Sequence, residues 1–499
     1  MVFASHAFLL FLAVLLLVYW VAGRRGGLAG KVVLTVGSLF FYAYWLPAHL
    51  LILLGSIVFN NVVGRAIMRG PYAKQLVTLG VIANLVLLGY YKYAAFFVAS
   101  LNSLLATKLP LPAIVLPIGI SFFTFQQISL LIDAYKGRIE KLAFWDHLLF
   151  ISFFPHLIAG PIVRQGDLLP QIRAKTDWRL RAENVAAGIA LFSFGLFKKA
   201  FLIDLIAPKI DLLYRAADLK VEMGFVDSWV AAIGYGFQIY FDFSAYSDMA
   251  IGLAFIFGLR LPINFFSPYK AESIRAFWRR WHITLSLFLR DYVFIPLGGS
   301  RHGLARTLLA LLLTMSIGGL WHGAAWSFVA WGALHGAYLC VNHLWRELVA
   351  RATPSLRERV RARPLLRAPL YALSVAITFL AVNFAWALFR ASNWDSALRL
   401  VSGMLGQHGF LQRADMTIAV ANVLPIYFFI CWALPNTMQI FRHTAAALHS
   451  EEYTLARESP LMGRLAFGLS RPWAATTAVV FVIAWFALSN LSPFIYFQF

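Results

Sequence analysis

The chain has 499 residues, 61% hydrophobic and 13% charged, with 43 basic against 22 acidic side chains and a net charge of +21. A soluble chain would carry about 25% charged residues, so the composition excludes an ordinary soluble protein. The basic residues sit in short loops between apolar runs, which is the pattern of loops beside anionic lipid, and nucleic acid is not an expected partner.

In chain order, apolar segments fall near 5–22, 32–46, 48–63, 76–100, 113–132, 185–206, 226–258, 305–320, 324–346, 369–390, 420–437 and 474–492. Many are long enough to cross a hydrocarbon core of roughly 30 Å, where the backbone must satisfy its own polar groups, so helices are expected. The alternation of an outer-membrane barrel is absent. The run Phe8 to Val21 has the length of a signal sequence, but no Lys or Arg precedes it, and it reads as a retained first helix. Tyr42, Tyr44 and Trp45 form an aromatic cluster suited to the membrane interface. The stretch 145–163 holds His147, Pro155, His156, Gly160 and Pro161 and reads as re-entrant.

The loops Gly23–Lys31, Gly64–Lys74 and Lys136–Lys141 are basic, whereas those near Pro47 and Leu101–Pro112 are poorly charged. Strict alternation places the basic loops, and the basic segment Arg346 to Arg367, in the cytoplasm and both termini outside. Without a long linker or internal repeat, the chain reads as one membrane domain. Cys340 and Cys431 both lie in apolar runs, which excludes a disulfide framework and a cysteine zinc site.

Residues 240–336 depart from an inert bundle. Charge inside a bilayer is costly and normally faces a bundle interior or a watery cavity, yet Asp242 and Asp248 sit deep in one apolar run, with Tyr246 between them. They form either a polar cavity wall or a hydrogen-bonding network that joins helices. The run Ser273 to Tyr292 alternates basic and aromatic residues at helical spacing. An amphipathic helix at the cytoplasmic interface accounts for Arg275, Arg279 and Arg280 but not for His282. Next comes Gly318-Gly-Leu-Trp-His-Gly-Ala-Ala-Trp326. Its glycines permit close backbone approach, and the tight aromatic setting favours an uncharged His322 able to accept a proton from a hydroxyl. A structural role for His322 is the alternative; His335 reads as structural and His302 as solvated. No nucleophile elbow, P-loop, dinucleotide fingerprint or zinc-ligand spacing accompanies these residues, so no metal is expected.

At these residues the sequence resembles the membrane-bound O-acyltransferase family, in its alginate O-acetylation branch and more distantly the D-alanine transfer proteins of teichoic acid. The resemblance runs through Pro117–Gln126, Phe153–Pro161, Gly195–Lys199, Asp242–Asp248, Asn264–Pro268, Phe277-Trp-Arg-Arg-Trp-His282, Gly319-Leu-Trp-His-Gly323 and Phe494–Phe499, in the family's order. The loops 391–419 and 438–472 fit less well. The resemblance implies an all-α polytopic membrane protein, a bundle of about 11–12 transmembrane helices with re-entrant or interfacial helices around a central tunnel. It implies His322 as the catalytic residue and His282 as the second active-site position. Trp321, Trp326, Asp242, Tyr246, Asp248, Arg279 and Arg280 are candidates for the tunnel wall or the acyl-donor site.

The implied activity is transfer of a short acyl group, acetyl above all, from a cytoplasmic thioester to an extracellular or periplasmic polysaccharide. Acetyl-CoA is then a substrate, and no cofactor is permanently bound. Expected partners are membrane lipids, an acyl-CoA or acyl-carrier donor, an SGNH-type acetyltransferase in the periplasm and the glycan acceptor. The expected location is the bacterial inner membrane. Alternatives are D-alanyl transfer from a carrier protein and, from another class, a transporter or a scaffold for glycan export.

Overall fold

A computed structural model describes residues 1–24, 27–352, 364–449, 465–490 and 495. These are almost wholly helical; the one strand pairing is a two-residue parallel match of Leu261–Pro262 with Ala447–Leu448. Among the described residues, six helices are long and apolar enough to cross a membrane: His6–Gly23, Pro47–Arg69, Ala73–Leu105, Leu304–His322, Arg367–Arg390 and Ala414–Ala433. Leu28–Ala43 and Arg471–Phe486 are shorter apolar helices. The segments expected at 185–206, 226–258 and 324–346 are helical as well. That expected at 113–132 begins its helix only at Ile120. Pro110, Pro112 and Pro117 precede it, and Gly119 takes a left-handed turn at φ +74°, so the chain stays non-helical up to that point. The basic segment Arg346 to Arg367 lies partly outside the described residues, as does all of Phe494–Phe499 except Ile495.

The contacts divide the chain into two compact units. The first comprises residues 1–201, 243–263 and 437–491. Here Ile120–Tyr135, buried on nearly every face, packs against Pro47–Arg69 and Ala73–Leu88. Polar side chains join these helices. Asn84 donates its amide to Asn60 at 2.7 Å, and His147 sits between Asn61 (3.2 Å) and the Gln127 carbonyl oxygen (3.0 Å). In an apolar surrounding such bonds hold helices together at fixed positions.

The stretch expected to be re-entrant breaks into the short helices Phe144–Ser152 and Phe154–Leu157 and then irregular backbone. His147 and His156 are fully buried, as irregular backbone in a membrane protein requires protein around it. Lys198 donates to Asp248 at 2.6 Å with both side chains largely buried. This ion pair joins the end of Ala182–Phe197 to Phe225–Ile256. Tyr246 stacks on Phe3 at 4.5 Å between ring centres.

The second unit comprises residues 202–242, 264–436 and 492–499. Its centre is the antiparallel pair Leu304–His322 and Trp326–Ala352, against which Pro364–Arg390 packs. Two glycines set the closeness of the pair. A Cβ on Gly319 would lie 2.1 Å from the Phe328 carbonyl oxygen, and one on Gly332 would lie 2.2 Å from that of Met315. At the other end of the unit, Asp227 accepts backbone N–H bonds from Gly224, Gln412 and Arg413 and ties the 409–417 loop to the start of Phe225–Ile256. Asp242, on the same long helix, accepts the backbone N–H of Ile495 at 2.8 Å.

Candidate active site

The run Ser273 to Tyr292 is two short helices, Ile274–Trp278 and Ile283–Leu289, and not one amphipathic helix. The break falls at His282, whose backbone is left-handed at φ +41° and ψ +54°. A left-handed conformation costs a residue other than glycine about 1–3 kcal/mol and persists only where the surroundings over-determine it. Asn264 supplies much of that determination. Its backbone carbonyl accepts the N–H of Ile283 at 2.9 Å. Its side-chain oxygen accepts the hydroxyl of Thr284 at 2.8 Å and lies 3.1 Å from Nδ1 of His282. Phe266 N–H completes the clamp by donating to the Arg280 carbonyl at 2.9 Å.

This network assigns the tautomer of His282. An oxygen that accepts from Thr284 must also accept from Nδ1, so Nδ1 carries the hydrogen and Nε2 carries the lone pair. The imidazole is fully buried. Burial, and after it the charge of His322, hold it well below the usual histidine range, which keeps it neutral.

His322 is the last residue of Leu304–His322. Its ring centre lies 6.3 Å from that of His282, with the planes at 60°. Three aromatic rings enclose it: Trp321 at 5.0 Å, Trp331 at 5.3 Å and Phe389 at 5.2 Å. Only 6% of its surface remains exposed. A helix C-terminus carries exposed carbonyls and favours positive charge. The helix end therefore tolerates an imidazolium that forms in passing.

The other sequence candidates disperse. Trp321 belongs to the site, 6.2 Å from His282. Trp326 does not shield it: the ring is 60% exposed, because it opens the following helix. Trp331 and Phe389 cover His322 in its place. Trp331 also carries His335, fully buried at 4.8 Å and packed in turn on Trp278 at 5.2 Å. Arg279 is exposed, and Arg280 is half-buried 4.0 Å from Glu272. Asn264, Thr284 and Phe389 went unassigned from sequence; Asn264 stands in a quoted motif, but only the fold brings it to His282. Among the described residues no three His, Cys, Asp or Glu side chains converge as metal ligands would.

Apolar helices in number define a multi-pass membrane protein, and two buried histidines are brought together in it beneath aromatic rings. Its family is shown by comparison. The profile of the membrane-bound O-acyltransferase family matches residues 7–377, and the chain belongs to that family. The chain is 41% identical to the peptidoglycan O-acetyltransferase of Helicobacter pylori over 78% of its own length and 76% of the relative's. It is 37% identical over the full length of both chains to the probable alginate O-acetylase AlgI of Azotobacter vinelandii. The teichoic acid D-alanyltransferase of Streptococcus thermophilus is 26% identical over 54% of this chain and 68% of that one. The protein is thus a membrane-bound O-acyltransferase, as its motifs implied.

Proposed function

We propose that this enzyme moves an acetyl group from a cytoplasmic thioester, acetyl-CoA being the donor that best fits, to a hydroxyl that leads to an envelope or extracellular polysaccharide. The buried His282–His322 pair carries the reading, and the names of the Helicobacter and Azotobacter relatives support acetyl as the group. His322 takes the proton of the acceptor hydroxyl as its oxygen attacks the thioester carbonyl. The tetrahedral intermediate collapses, the C–S bond breaks, and the proton passes from the imidazolium to the leaving thiolate.

The tautomer of His282 argues for one of its two possible roles. With Nε2 unprotonated it cannot donate a hydrogen bond to an oxyanion, so it acts by orienting His322. Ring nitrogens lie ~1.2 Å from the ring centre, so the 6.3 Å separation keeps the nearest pair at ~4 Å or more, beyond a direct hydrogen bond. A water oxygen placed in that gap would accept from His322 and donate to Nε2 of His282, leaving the other nitrogen of His322 to act as base. Replacing Asn264 with alanine releases Nδ1 and lets the tautomer interchange. The expected loss is ~10–100-fold in turnover, the scale of losing an imidazole's orienting partner, with little change in donor KM. Unchanged turnover in a folded Asn264→Ala protein would dismiss this role.

The family's central tunnel would bring donor and acceptor to the pair, with the two units acting as one membrane domain. Arg279 and Arg280 are positioned in sequence to hold the donor's phosphates. The location we propose is the bacterial inner membrane, with basic loops in the cytoplasm and both termini outside. An SGNH-type acetyltransferase on the outer side is the partner that would complete transfer to the glycan. D-alanyl transfer from a carrier protein is the second reading, supported by the Streptococcus relative. Supplying purified protein with labelled acetyl-CoA or with labelled D-alanyl carrier distinguishes them: free thiol released from acetyl-CoA is expected, and release from the carrier alone would replace acetyl with D-alanyl. A transporter or an inert scaffold would release none from either.

A further inference from the structure

The first unit holds a cavity of about 550 Å³ whose wall is strongly basic. Lys31, Lys141, Arg173 and Lys175 line it against a single carboxylate, Asp146. That carboxylate is already engaged: Lys31 bonds to it, and Nε of Arg173 lies 3.8 Å away. Nε of Arg173 is thus too far from Asp146 for a hydrogen bond, and both it and Nη2 are buried with no hydrogen-bond acceptor among the described residues. Lys175 feels the opposed charges of Arg181 and Asp177, and the wall keeps its excess of positive charge. Burial, and then the charge of Arg181, lower the affinity of Lys175 for its proton, as expected where cations await a counter-charge.

Dehydrated guanidinium donors that lack acceptors are costly, and this arrangement is met by a compact, multiply charged anion. Arginine suits phosphate through paired N–H donors, and lysine through point charge. The wall is not purely polar: Leu28, Ile172 and Trp178 form its apolar side. Trp178 is fixed by its indole N–H, which donates to the Lys175 carbonyl at 2.8 Å. A bare ion has no use for that side, whereas a phosphate joined to an apolar or aromatic body does.

We propose that this cavity is a phosphate-binding site for a phosphoester with an apolar or aromatic body attached. Two sources share that chemistry, the headgroup of an anionic phospholipid and a soluble nucleotide-bearing phosphoester such as coenzyme A. The inference concerns binding alone and does not depend on the acyl-transfer chemistry above.

Thermal unfolding of the purified full-length protein in detergent tests it, with free coenzyme A and short-chain phosphatidylglycerol as probes and short-chain phosphatidylcholine as the zwitterionic control. A ligand of the folded state raises the midpoint with concentration. One or both anionic probes should raise it by several degrees, and phosphatidylcholine should not. Lys141→Glu and Arg173→Gln should each remove at least half of the rise. Lys141 is exposed, so its variant keeps the test valid even if Arg173→Gln folds poorly. A rise confined to coenzyme A assigns the soluble source, and one confined to phosphatidylglycerol assigns the headgroup. No rise with either probe, or a rise that Lys141→Glu leaves whole, overturns the proposal.

Discussion

Replacement of His322 by alanine should lower thioester turnover by ~10²–10⁴-fold, the usual contribution of a positioned general base. The expectation follows from where the ring sits. It closes a helix, lies 6.3 Å from His282, and is caged by Trp321, Trp331 and Phe389 with 6% of its surface exposed. Those rings exclude bulk water, so no solvent base can take over, and the same exclusion limits wasteful hydrolysis of the thioester. The alanine leaves a small void among rigid rings, which loosens the packing locally without removing any helix contact. Activity should therefore fall far more than stability. Thiol release and thermal midpoint, measured on the same preparation, check both. Wild-type turnover in the variant would assign the ring a structural role.

The second large effect is structural. Gly319→Val should destabilise the protein by about 3 kcal/mol or more and abolish activity together with yield. A Cβ at 319 meets the Phe328 carbonyl oxygen at 2.1 Å and the Gly332 Cα at 3.1 Å. Both obstacles are backbone, so no rotamer change relieves them, and the two helices must separate. Inserting bulk into packed protein costs about 1–3 kcal/mol where side chains can adjust, and here they cannot. His322 lies one turn further along the same helix, so the shift reaches the site directly. Gly55 is the control: nothing lies within 4 Å of its Cβ position and it is mid-helix, so Gly55→Ala should hold or raise stability by about 0.5–1 kcal/mol. Thermal midpoints of both variants by fluorescence-detected size exclusion decide the matter. Equal tolerance at 319 and 55 would mean the helix pair is not held as closely as described.

The helices were legible because their signal is local: apolar length reports burial in lipid whatever the partners. His322 was legible for a related reason, since glycine and tryptophan around it mark close packing. The rest depended on distance in sequence. Helical periodicity predicted a continuous helix through His282, but hydrogen bonds from Asn264, 18 residues earlier, impose a left-handed break there. Nothing in composition could distinguish Trp326 from Trp331 as the cover of His322. The first falls at the mouth of a helix and the second a turn inside it, and that turn decides which is buried. The ion pair of Asp248 could not be read either, because its partner Lys198 lies 50 residues away. The basic cavity was invisible from sequence because its walls come from three separated stretches, near 28–31, 141–146 and 172–178.

Acyl transfer at the paired imidazoles requires that a thioester be consumed there. The most direct measurement is release of free thiol from acetyl-CoA by the purified protein in vesicles, comparing wild type with the His282→Ala/His322→Ala double variant. Steady release by the wild type is expected, with label passing to a hydroxyl acceptor, together with background release by a double variant that remains folded. Equal release by the two proteins would contradict it.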